Sequence, residues 1–218
     1  MLSVSTIFLL KSISQENKQE DWDSQLSTTL KKEFISIIQE ILPAADFSFP
    51  RSTIPKTGID FTNPDVEIIC CTDGSMVTFT GAGYLRVVMP DSIHCNLLAA
   101  RMKTVGNRKL TAPRTELMGA HLGVELTNDV IKEVKDLVNI KKVHYFTDSQ
   151  VVIGQFQDAS GKFEMFLGNR VDYIQTHSDV SSWRWIPGDS NPADLPTQGN
   201  TSLNEVMSDK WLHGGFLF

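Results

Sequence analysis

Two apolar runs, VEIICCTD (66–73) and KKVHYFTD (141–148), constrain this chain more than any other feature. Each has the β-branched and aromatic content of a buried strand, and each ends in an aspartate. A carboxylate where a buried strand hands over to the next element costs desolvation free energy unless a cation or hydrogen-bond donors receive it. The group that receives Asp148, in VHYFTDSQVVIGQF, is therefore the first question about function.

The segments around these runs give an order of elements. VTFTGAGYLRVVM and IHCNLLAARMKTV have strand composition, and MPDS between them reads as a hairpin turn. TAPRTELMGAHLGVELTNDVIKEVKDLV reads as a helix with Pro113 at its first position and an apolar stripe of Leu117, Ala120, Val124, Ile131 and Val134. SQVVIGQFQ is a short helix. KFEMFLGNRVDYIQTHS is another, with Phe163, Phe166, Val171 and Ile174 facing inward. SWRWIPG is a strand stopped by Pro187-Gly188, and DSNPADL is a loop entering a last helix. Three meandering strands followed by alternating helices and strands predict an α/β fold, a mixed five-stranded sheet flanked by helices.

Upstream, DSQLSTTLKKEFISIIQEILPAA predicts a helix with Leu26, Leu30, Phe34, Ile37, Ile38 and Ile41 on one face, capped by Asp23 or Ser24 and ended by Pro43. Residues 46–64 hold three prolines and a glycine and read as a linker. The expected organisation is a helical connection segment at 1–64, an α/β domain at 65–199 and a tail at 200–218.

Composition narrows the class. With 218 residues, 41% hydrophobic and 21% charged, the chain is long enough for a core that needs no staples. A net charge of −6 excludes a wholly basic nucleic-acid binder, but not binding by a local patch or through metal ions that bridge acids to phosphate. Cys70, Cys71 and Cys95 fit neither a disulfide framework nor a zinc site, and read as reduced core residues. MLSVSTIFLLKSISQENK lacks a basic lead and a cleavage pattern, so it is not read as a signal peptide. No apolar run is long enough to span a bilayer. The expected location is intracellular and cytoplasmic, in a reducing compartment.

In an open α/β sheet, function sits at the carboxyl ends of parallel strands. Asp73 and Asp148 end strands that this topology makes neighbours. Glu116 lies one turn into the helix after the third strand, and Asp194 begins the last helix. Taken singly, Asp148 and Asp194 read as helix caps and Glu116 as a favourable first-turn charge. Together they are acids from distant parts of the chain that converge. Such a cluster repels itself unless cations are bound, and hard oxygen donors suit Mg²⁺ or Mn²⁺ in a two-metal phosphoryl-transfer site.

CCTDGS, TAPRTELMGA, YFTDSQVVIGQF, GNRVDYIQ and WRWIPGDSNPADLPTQG, in this order, resemble the ribonuclease H region of BEL/Pao-type LTR retrotransposon polyproteins. The resemblance covers about residues 65–199 and continues weakly to WLHGGFL. The first 64 residues resemble the segment that joins reverse transcriptase to ribonuclease H. The resemblance implies a ribonuclease H-like fold and metal-binding catalytic acids at Asp73, Glu116, Asp148 and Asp194, with two Mg²⁺ or Mn²⁺ ions. It also implies hydrolysis of the RNA strand of RNA–DNA hybrids, with the reverse transcriptase and integrase portions of the same polyprotein as partners, in the cytoplasm or inside a virus-like particle.

The sequence departs from the family pattern in places. MVTFTGAG lacks a tyrosine before its glycine, Pro196 and Gln198 in DLPTQG replace the usual alanine-serine-arginine pattern, and PGDSNPAD has no histidine. These changes suggest a diverged or domesticated copy. The alternative is thus a catalytically inactive retroelement-derived module that binds nucleic acid or is only structural. A junction resolvase or transposase on the same fold is a third reading, which the TDS and NPAD contexts disfavour.

Other residues carry two readings each. Arg101, Lys103, Arg108 and Lys109 form a basic run that is either a solvated loop or a phosphate-contacting edge. Asn169 and Arg170 either touch the hybrid or pack their helix. Ser149 and Gln150 contact substrate or cap a helix. Trp183 and Trp185 alternate on a strand and are expected to cover the core rather than stack bases. The histidines show no ligand spacing.

Overall fold

The computed structural model describes residues 25–48, 65–106, 110–158, 160–198 and 201–215. The expected signal-free N-terminus, most of the expected linker, and Arg108 and Lys109 lie outside these residues.

A five-stranded sheet in the order β3-β2-β1-β4-β5 organises the fold. It comprises β1 (Asp65–Gly74), β2 (Thr78–Val88), β3 (Ile93–Thr104), β4 (Ile140–Thr147) and β5 (Trp183–Trp185). The first three strands form an antiparallel meander, whereas β1 pairs with β4, and β4 with β5, in parallel. The sheet is mixed, as the sequence predicts. Thr72 pairs with Thr147, so Asp73 and Asp148 leave adjacent parallel strands side by side.

Both faces of β1 are covered, which is why its sequence is a nearly continuous apolar run rather than an alternating one. Cys70 faces one core, with Leu117, Ala120, Val124, Tyr145, Val152, Phe156, Val171, Ile174 and Trp183. Ile69 and Cys71 face the opposite core, with Tyr84, Cys95, Leu195 and Trp211. The two-residue period of a strand sends the adjacent cysteines to opposite sides. All three cysteines are free and buried.

The first core is closed by α2 (Ala112–Val134), α3 (Gln150–Gln157) and α4 (Met165–His177). Upstream, α1 (Thr28–Ile41) is capped by Ser27, not by Asp23 or Ser24, because its hydroxyl accepts from the Leu30 N–H. Pro43 lies in a 3₁₀ turn at Leu42–Asp46 that follows α1. The predicted apolar stripe of α1 is not covered among the described residues: Phe34, Ile38 and Ile41 are exposed. Residues 200–218, expected as a tail, contribute α5 (Leu203–Val206) and α6 (Asp209–His213). Trp211 of α6 is buried in the second core, and its carbonyl accepts from the Tyr84 hydroxyl at 3.0 Å.

The helix α2 lies unusually close to the sheet. A Cβ added at Gly119 would sit 2.4 Å from the Asp73 carbonyl oxygen. One at Gly123 would sit 2.4 Å from Thr72 Cγ2, and one at Gly74 2.3 Å from the Thr115 carbonyl. Glycine inside a helix is unfavourable by itself. Here it lets the helix backbone approach the end of β1. Gly119→Ala is therefore expected to destabilise the protein by about 1–3 kcal/mol through overpacking. Gly154→Ala, in α3 with open space around the new Cβ, is expected to be neutral or stabilising by up to about 1 kcal/mol. Chemical denaturation of the two variants beside the wild type checks both.

Candidate metal centre

Asp73, Glu116 and Asp148 converge. Each offers one carboxylate oxygen, and these oxygens lie within 4.8 Å of one another. Asp73 comes from the end of β1. Asp148 follows β4, on the strand paired in parallel with it. Glu116 comes from the first turns of α2, which the glycine seam presses against Asp73 and Gly74.

The surroundings of each acid differ. Asp73 is 6% exposed and accepts a hydrogen bond from the Thr197 hydroxyl. Burial pushes its pKa up to about 7; the Thr197 hydrogen bond opposes this, and the negative charges of Asp148 and Asp194 add to it. Burial pushes Glu116 up to about 8, helped by the charges of Asp73 and Asp148 and opposed by the Gly74 N–H. Asp148 is also raised, first by burial and then by the charge of Asp194, against hydrogen bonds from its own backbone N–H and from Asn191. Glu116 Oε2 and Asp148 Oδ1 are buried with no hydrogen-bond partner. Buried acceptors of this kind are expected to find a donor or a cation. An oxygen-only donor set with two such orphaned atoms fits a hard divalent cation such as Mg²⁺ or Mn²⁺.

Asp194 lies outside this trio. It sits in a 3₁₀ helix, Pro192–Thr197, where an α-helix was expected, with Pro196 inside it. Its carboxylate accepts from the Gln198 side-chain amide, and its charge still acts on the other three acids. Gln198, one of the departures noted in the sequence, is thus engaged with Asp194 itself.

Asn191 and Gly188, to which sequence reasoning gave no part in the site, help to hold it together. Asn191 is fully buried. Its side-chain amide donates to the Thr72 carbonyl at 3.0 Å, and its oxygen accepts from the Ala193 N–H at 3.1 Å. One side chain therefore ties the end of β1 to the segment that carries Asp194. Gly188 leaves room for Asp148, since a Cβ there would lie 3.1 Å from Oδ2. Trp185 donates its indole N–H to the Asp148 carbonyl at 2.9 Å. The expectation that both tryptophans cover the core holds for Trp183, 5% exposed, and not for Trp185, 46% exposed. The strand ends at Trp185, beyond the reach of the core. The helix-interior glycines Gly119 and Gly123, four apart, were the sequence signal for the close seam.

The remaining candidates do not join the trio. Ser149 caps α3, accepting from the Val152 N–H at 3.4 Å, and Gln150 is exposed at its start. Asn169 is exposed on α4. The Arg170 guanidinium lies 3.8 Å from the Phe166 ring centroid and donates to the Phe166 carbonyl at 2.8 Å. Arg101 and Lys103 pair with Asp129 and Glu125 of α2. Such exposed pairs contribute little to stability.

The site predicts a pH dependence. The folded pKa values of Asp73 and Glu116 lie above the ordinary 3.8 and 4.5, so the unfolded chain releases these protons first. Their contribution to stability is full below about pH 4, falls as pH rises to about 8, and is flat beyond. Denaturation in a chelating buffer should show wild-type stability falling over this window relative to Asp73→Asn and Glu116→Gln. A wild type that gained stability relative to both variants over the same window would contradict it.

Residues 2–149 match the family described as the Pao retrotransposon-like RNaseH-like domain. No curated protein matches. Among solved structures, the chain is similar to the N-terminal RNase H domain of rv2228c from Mycobacterium tuberculosis, with 18% identity and a TM-score of 0.40 over 61% of this chain and 91% of that one. It is similar to LC11-RNase H1 in complex with an RNA/DNA hybrid, with 20% identity and a TM-score of 0.39 over 65% of this chain and 100% of that one. It is also similar to the foamy viral protease-reverse transcriptase in complex with an RNA/DNA hybrid, with 12% identity and a TM-score of 0.39 over 86% of this chain and 28% of that one.

Proposed function

The chain belongs to the Pao retrotransposon-like RNaseH-like family, and from that premise we propose that it is a metal-dependent endonuclease that hydrolyses the RNA strand of RNA–DNA hybrids. The observation that carries this reading is the convergence of Asp73, Glu116 and Asp148, with two buried carboxylate oxygens that lack partners. These acids would hold two divalent cations, Mg²⁺ or Mn²⁺, with Asp194 as a fourth acid at the edge. When bound, the ions supply activation of water and stabilisation of the leaving 3′ oxygen.

The chain's own residues do the rest. Asp73, Glu116 and Asp148 are held in place before any substrate arrives, by Thr197, by the α2 seam and by Asn191. Preorganisation of this kind avoids reorganisation during the reaction. The hybrid would be recognised by backbone shape and 2′-hydroxyls rather than by base sequence. Its natural setting would be reverse transcription, alongside the reverse transcriptase and integrase portions of a polyprotein. No helix among the described residues is long and apolar enough to cross a membrane.

Incubation of a labelled RNA–DNA hybrid with the protein and Mg²⁺ or Mn²⁺ tests the reading. Cleavage is expected in the RNA strand alone, and Asp148→Asn is expected to lower it by about two orders of magnitude or more. Absence of cleavage by folded protein with either metal would overturn it in favour of an inactive nucleic-acid-binding or structural module.

A further inference from the structure

We propose that Trp185 is a substrate-contact residue, whose half-exposed indole packs against a nucleic-acid strand bound at the acidic cluster. This rests on the proposed function, since the cluster is where a strand would bind.

The geometry carries the inference. Trp183, earlier on the same short strand, stacks on Tyr145 at 4.7 Å between centroids and is 5% exposed, so it already supplies the contribution of β5 to the core. Trp185 is 46% exposed. It pairs with Thr147, the residue before Asp148, and its Nε1–H donates to the Asp148 carbonyl at 2.9 Å. That N–H is the only polar group of the side chain. With it engaged, the exposed remainder of the ring is apolar and held in one place at the rim of the carboxylates. A flat, uncharged, fixed surface suits packing against a base or sugar, because it adds no like charge and loses little conformational freedom on binding. Such a contact is tolerant of sequence, which matches a hybrid read by shape.

Two measurements on the full chain test it. In the first, KM and kcat for hybrid cleavage are compared among the wild type, Trp185→Leu and Trp185→Phe. Trp185→Leu is expected to raise KM about fivefold or more with kcat little changed, and Trp185→Phe, which keeps a flat ring without the N–H, to recover most of the loss. Unchanged KM in Trp185→Leu, or a fall in kcat alone, would overturn the contact and leave Trp185 as a support for the Asp148 backbone. In the second, tryptophan emission is followed as hybrid is added. Quenching in the wild type that is lost in Trp185→Phe supports the contact even if Trp185→Leu does not fold. Emission that hybrid does not alter overturns it. Quenching without cleavage would sink the nuclease reading while leaving the contact standing, and cleavage without a Trp185 effect would do the reverse.

Discussion

The seating of α2 on the end of β1 is the contact on which the site depends. Gly119 on the helix and Gly74 on the strand allow backbone to meet backbone where any Cβ would collide, and Gly123 leaves room for the Thr72 side chain. Because the seam lies at the carboxyl end of β1, it fixes Glu116 against Asp73. The parallel pairing of β1 with β4 then brings Asp148 alongside both. The carboxylates thus converge through backbone packing and strand register, and not through any attraction among themselves.

That independence matters because the acids oppose their own assembly. Burial first, and the like charges of the neighbouring acids after it, raise the pKa values of Asp73 and Glu116, and those shifts express the cost. The surrounding structure offsets it with few groups: the Thr197 hydroxyl, the Gly74 N–H and the Asn191 amide. The remaining acceptors, Glu116 Oε2 and Asp148 Oδ1, are left unmet. A repulsive cluster with unpaired oxygens at its centre is a candidate cation site, and on that reading a cation is what receives Asp148 at the end of its strand.

Much of the fold was legible in the sequence because its signals are local. Strand composition, the Pro113 helix start and the alternation of elements gave the mixed sheet and the neighbouring ends of β1 and β4. Topology put Asp73 and Asp148 at adjacent strand ends and was expected to bring Glu116 and Asp194 to them; Glu116 joins the two, and Asp194 does not. What was not legible depends on long-range geometry. That Asn191 reaches the Thr72 carbonyl, 119 residues away, could not be read from NPAD, where it looks like a turn residue. The divergence of Trp183 and Trp185 was hidden because alternation gives a shared face, but not where the core ends. The segment that carries Asp194, expected as a helix, is a 3₁₀ helix with Pro196 inside it, and Asp194 stands outside the trio. The stripe on α1 was legible, but not that the described residues leave it uncovered.

Asp73, Glu116 and Asp148 are expected to form a divalent-cation site before substrate binds. Calorimetric titration of Mn²⁺ and Mg²⁺ into the metal-free protein tests it most directly, with Glu116→Gln as the comparison because that substitution keeps the shape of the side chain and removes its charge. The account predicts saturable binding by the wild type that weakens by about tenfold or more in the variant. No saturable binding, or equal binding by the two proteins, would contradict it.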